Sequence, residues 1–153
     1  MAGNIRDAYI SADPANKSAY ESRYEALAEQ LTALDKEYKT ALAPHADKDI
    51  VVSHQAFAYL CRDYDLRQTA IMGLSPEAEP RSQDILRIIK FVKERQIRYI
   101  FFEQLASGSI AEMIAQDTGA KTLVLNPLEG LTPEQERAGE NLISLMRANL
   151  QNL

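Results

Sequence analysis

The sequence predicts an α/β fold: a four-stranded parallel sheet flanked by helices and preceded by one long helix. Short, nearly continuous apolar runs alternate with amphipathic stretches from residue 49 onward. That is the texture of βα units whose strands are buried on both faces. Before it, one apolar stripe runs through residues 20–41 at alternating spacings of four and three, the pattern of a single helix face. Helix start and stop residues fall at the joins between these textures.

The long helix comes first. Asp13 reads as its N-cap and Pro14 as its first helical position. Tyr20, Tyr24, Leu27, Leu31, Leu34, Tyr38 and Ala41 form the stripe, and Pro44 ends it. From Pro14 to Leu42 such a helix is about 40 Å long, a length that suits a structural spine, although core packing calls for the same stripe.

After Pro44, strands are expected at Asp49–Ser53, Gln68–Met72, Ile97–Phe102 and Lys121–Leu125. Helices are expected at Gln55–Tyr64, Arg81–Gln96, Ser109–Thr118 and Pro133–Leu150. Ser109 with Glu112, and Thr132 with Gln135, match capping boxes, and Gly119 is placed to stop a helix before the last strand. No internal repeat or low-complexity linker divides the chain, so these elements read as one α/β unit.

Bulk properties narrow the function. A chain of 153 residues is the size of one domain, and its net charge of −5 argues against nucleic acid or an anionic membrane as the main partner. No run of about 18 apolar residues is present to span a bilayer. The opening MAGNIRDAYISADP carries charges and no apolar core, so no signal peptide is expected within this chain. The single cysteine, Cys61, excludes an internal disulfide and a multi-cysteine zinc site, and reads as a small core residue.

In open parallel sheets, ligands bind beyond the carboxyl ends of the strands. There the sequence puts His54 after the first strand, Glu77 and Glu79 in the loop after the second, Glu103 after the third and Glu129 shortly after the fourth. An imidazole among carboxylates suits a borderline cation such as zinc, but zinc takes about four ligands and this chain offers fewer. Each residue also has an ordinary alternative. A strand-end histidine can simply pack, Glu129 can favour the N-terminal dipole of the last helix, Glu103 can bond loop amides, and Glu77 and Glu79 can be solvated. His45, in the polar stretch APHADKD, is expected to be exposed and uninvolved. Enzyme chemistries lose ground because the chain has no G-x-G-x-x-G, no G-x-x-x-x-G-K-[ST] and no G-x-S-x-G, and no aspartate ends an expected strand.

With these elements placed, three segments closely resemble the periplasmic zinc- and manganese-binding solute-binding proteins of bacterial metal-uptake ABC transporters. They are IVVSHQAFAYLCRDYDLRQTAIMGLSPEAEP, RYIFFEQLASGSIAEMIAQDTGAKTLVLNPLEGLT and ENLISLMRANLQNL. The opening NIRDAYISADPANKSAYESRYEALAEQLTALDKEY is similar to that family's interlobe helix and the segment before it. The family has two α/β lobes joined by a long helix, with the metal in the cleft between them. The resemblance therefore implies that residues 1–44 are the interlobe helix region and residues 45–153 the C-terminal metal-binding lobe, with the N-terminal lobe absent from this chain.

The same resemblance implies His54 and Glu129 as metal ligands, with Glu103 a candidate neighbour of the site, and it leaves Glu77 and Glu79 out of the metal shell. It implies zinc over manganese, because manganese-type members usually carry a carboxylate where His54 stands, and imidazole suits zinc. The partners implied are the metal, a membrane ABC permease and the missing lobe. The location implied is extracytoplasmic, in the periplasm or anchored by lipid at the cell surface. An isolated lobe with an exposed cleft and spine face would tend to self-associate. The competing expectation is a metal-independent adhesion or interaction module, since members of the family also serve as surface adhesins.

Overall fold

The computed structural model describes residues 1–45, 48–75, 80–104 and 108–153. Its helices and strands run α1 (Ala2–Ala12), α2 (Lys17–Leu42), β1 (Lys48–Val52), α3 (Ala58–Asp63), β2 (Leu66–Ala70), α4 (Ser82–Glu94), β3 (Tyr99–Phe102), α5 (Ser109–Thr118), β4 (Lys121–Val124), α6 (Pro133–Arg137) and α7 (Leu142–Asn152). Single 3-10 turns occupy Pro14–Asn16 and Ala43–His45. The chain divides into two units, Met1–Thr40 and Ala41–Leu153.

In the first unit, α1 lies back along the start of α2. Tyr9 stacks on Tyr20 with ring centroids 5.3 Å apart, and the Arg6 guanidinium sits 4.4 Å from the centre of the Tyr24 ring. No residue of α1 is buried, so its apolar pattern is faint and the sequence gives no expectation of a helix there. The helix expected from Pro14 instead begins at Lys17, after a 3-10 turn. Pro14 has no N–H to give, and the turn is tighter than an α-helix. Asp13 makes no side-chain cap to the backbone. Its carboxylate accepts from Asn16 Nδ2 at 2.7 Å and from the Tyr20 hydroxyl at 3.0 Å. Those bonds, Asn16 first, hold its carboxyl below the ordinary aspartate value. The α2 stripe is uniform in sequence but graded in burial: Leu27 is exposed, whereas Leu34, Tyr38 and Leu42 are buried at steps of four.

The second unit is the α/β body. Its four strands are all parallel, in the order β2-β1-β3-β4. Val51 of β1 stands opposite Ile100 of β3, and both are fully buried. Around them Ile71, Met72, Ile88, Val92, Ala111, Ile114 and Ala115 form the core that α4 and α5 close over the sheet. Burying each of the valine, isoleucine and methionine side chains contributes roughly 1.5–3 kcal/mol.

Several local expectations are corrected. The second strand forms two residues earlier than expected, because Asp65 turns the chain at φ 54° and Leu66 already pairs with Lys48. The Ser109–Glu112 capping box does not form; Gly108 is the N-cap, and Ser109 is the first helical residue. The Thr132–Gln135 box does form. Gly119 ends α5 at φ 78°, the left-handed conformation that favours glycine. The expected Pro133–Leu150 helix is two helices, because Gly139 breaks it at φ 73° and Asn141 restarts it, its Oδ1 accepting from Ile143 N at 2.9 Å.

Candidate metal centre

The strand order sets the site. From β1 the chain moves to one side for β2, then crosses to the other side for β3, so the direction of winding reverses between β1 and β3. In open parallel sheets the crevice beyond the carboxyl ends of such a strand pair is where ligands bind. His54 follows β1 and Glu103 follows β3, so both stand at this crevice.

Main-chain bonds fix His54 from both sides. Ser53 N donates to Phe101 O at 3.0 Å, and Met72 N donates to Ser53 O at 2.8 Å. Gln55 N donates to Gly73 O at 2.9 Å. The apolar run that ends in Val51 and Val52 therefore carries the sheet ladder one residue past the strand and delivers the imidazole at its end. Beyond it the chain turns at once, with Ala56 N donating to His54 O, and Phe57 N is taken by the Gln68 side chain before α3 begins.

The His54 ring and the Glu103 carboxylate are joined by a hydrogen bond of 2.5 Å between Nδ1 and Oε1. Only 3% of His54 and 4% of Glu103 remains exposed. Burying a carboxylate or an imidazole alone is costly, and each here supplies the partner that offsets the other's desolvation. The sequence places both at one edge but does not foresee their bond.

Glu129 is held differently. It is exposed, in the loop after β4. The backbone before it is pinned by asparagines: Asn126 N donates to Asn149 Oδ1 at 2.8 Å, and Asn149 Nδ2 donates back to Asn126 O at 2.8 Å. Leu128 N donates to Asn126 Oδ1 at 2.7 Å, and Leu128 takes φ 68°. Asn152 Nδ2 donates to Val124 O at 2.8 Å, so α7 secures the end of β4 as well. The loop after β3 is also tied to α6, by Gln135 Nε2 donating to Gln104 Oε1 at 2.6 Å. Sequence reasoning missed Asn126, Asn149 and Gln104; the Asn126-Pro127 dipeptide is a turn signal that pointed to the first of them.

The other candidates separate cleanly. Among the described residues, no group of three or more His, Cys, Asp or Glu gathers into a metal shell. His45 is half-buried rather than exposed, with Lys48 Nζ 2.9 Å from its Nδ1, before the amino end of β1 and so away from the crevice. Glu77 and Glu79 lie outside the described residues. Cys61 is buried, and burial pushes its thiol up to about 11, which leaves no thiolate for metal at neutral pH.

Comparison with known proteins agrees with this fold. A family model described as zinc-uptake complex component A, periplasmic, matches residues 1–153. The zinc-binding lipoprotein AdcA of Streptococcus pneumoniae serotype 4 is 45% identical over 150 residues, covering 98% of this chain and 30% of that protein. The high-affinity zinc uptake system protein ZnuA of Bacillus subtilis is 38% identical over 150 residues, covering 98% of this chain and 47% of that protein. Among solved structures, the Zn(II)-bound ZnuA-like domain of Streptococcus pneumoniae AdcA matches with a TM-score of 0.81 at 42% identity, covering 96% of this chain and 55% of that one. The chain thus spans less than half the length of these curated relatives. They are named for zinc binding and zinc uptake, not for catalysis. On the full-length match of the family model, the chain belongs to the zinc-uptake complex component A family.

Proposed function

We propose that this chain is the interlobe helix region (1–44) and C-terminal lobe (45–153) of a solute-binding protein that captures zinc outside the cytoplasm and hands it to a membrane ABC permease. Its function is coordination followed by release, with no bond of a substrate made or broken. His54 donates a ring nitrogen and Glu129 a carboxylate oxygen. The remaining ligands come from an N-terminal lobe outside this chain, since zinc takes about four.

One observation carries this reading: a buried, carboxylate-bonded imidazole at the reversal point of the sheet, in a family whose named members bind zinc. The donor chemistry also favours zinc over manganese, which prefers oxygen ligands throughout.

Calorimetric titration of this chain with zinc, beside His54→Ala, is the direct test. The unmodified chain is expected to take up about one zinc weakly, as half a shell should, and His54→Ala to lose that uptake. Equal stoichiometric binding by both would remove His54 from the site.

A further inference from the structure

We infer that Glu103 is a positioning residue for metal capture: by accepting the Nδ1 hydrogen of His54 it fixes the ring's tautomer and presents Nε2 to the cargo. This rests on the reading of His54 as a zinc donor. The 2.5 Å bond engages Nδ1, and it is the one hydrogen bond that the described structure gives the His54 side chain. No buried side-chain nitrogen or oxygen among the described residues lacks a partner. Nε2 takes no partner from the described residues and so is not fully enclosed; it is the ring nitrogen left to meet the cargo.

The pair is built into the sheet rather than hung from a loop. His54 lies one residue beyond Ser53, whose N–H is bonded to Phe101 O. Glu103 follows Phe102, whose carbonyl takes Leu125 N at 2.9 Å. Both side chains thus lie two residues past Val52 and Phe101, the last pair of two adjacent strands, so the strand spacing of about 4.8 Å brings them opposite one another. Gln104, next in the chain, accepts from Gln135 of α6 at 2.6 Å, side chain to side chain. A metal-binding histidine commonly gives its other ring N–H to a carboxylate, which fixes its orientation and raises its basicity as a ligand. With Oε1 spent on the ring and 4% of the residue exposed, Glu103 acts through His54 rather than beside it.

Two measurements test this. In the metal-free chain, long-range 1H–15N spectra of the His54 ring should show hydrogen on Nδ1 and a bare Nε2. The isosteric variant E103Q, whose amide oxygen still accepts, should keep that tautomer, and E103A should move hydrogen onto Nε2. Zinc affinity, read by competition with a chromophoric chelator, should fall about 10–100-fold in E103A and less in E103Q. Hydrogen on Nε2 in the unmodified chain would overturn the inference, as would an E103A affinity within about twofold of the original. If E103A does not fold, the unmodified ring and E103Q still decide it. If His54→Ala binds zinc like the unmodified chain, the donor assignment fails, while the nitrogen shifts still show whether Glu103 holds the ring.

Discussion

The two proposed donors stand beyond the ends of different strands and are secured by opposite means. His54 is buried, and its side chain is held directly by a second side chain, Glu103. Glu129 is exposed, and what is held is the backbone that leads to it, through Asn126, Asn149 and Leu128. The first arrangement fixes an atom, and the second fixes a loop that carries its carboxylate at the surface. Under the proposed function, a buried donor would define the site and an exposed one would complete it.

The largest break in this contrast should come from the core under the His54 edge. Ile100→Ala removes a fully buried side chain opposite Val51 and should cost about 2–5 kcal/mol, measured by urea denaturation. A smaller loss would mean that the core collapses around the gap and that the edge is softer than its packing implies. Next in size is Asn149→Ala, which strips partners from the N–H and carbonyl of Asn126 and should cost about 1–3 kcal/mol. Amide exchange should quicken at Leu128 and Glu129 while the His54 ring signals stay in place. If the ring signals move too, the two donors are not independently held.

The smallest effect lies in the first unit and is a pH effect. Asn16 and Tyr20 bond the Asp13 carboxylate and hold its folded pKa below the ordinary 3.8. A depressed carboxyl adds stability that is fully present above the unfolded value and is lost as pH falls through the folded one. Acid titration followed by carboxyl 13C shifts should therefore give Asp13 a midpoint below 3.8. A midpoint at or above that value would mean that the turn bonds do not persist in solution.

The parallel sheet was legible because its strands are short apolar runs between helix caps, and Gly119 and the Thr132 box mark real helix ends. The strand-end rule then put His54 and Glu103 at one edge. What stayed hidden depends on contacts distant in sequence: His54 meets Glu103 across 49 residues, and Asn126 meets Asn149 across 23. Spacing arguments reach about one or two helical turns, so such pairs lie beyond them. The errors nearer in sequence have local causes. Ser109 satisfied the capping pattern, yet Gly108 took the cap, and the apolar pattern around residues 133–150 ran straight through the Gly139 break.

The stack of Tyr9 on Tyr20 also decides what ultraviolet emission from this protein can report. The chain has no tryptophan and seven tyrosines, and four of them, Tyr9, Tyr20, Tyr24 and Tyr38, fall within residues 1–40. Intrinsic fluorescence is therefore weighted toward the helical pair, where Tyr9 stacks on Tyr20 and Tyr20 bonds Asp13. A melt followed by this light weighs α1 and α2 above the sheet, whose edge at His54 needs a probe of its own.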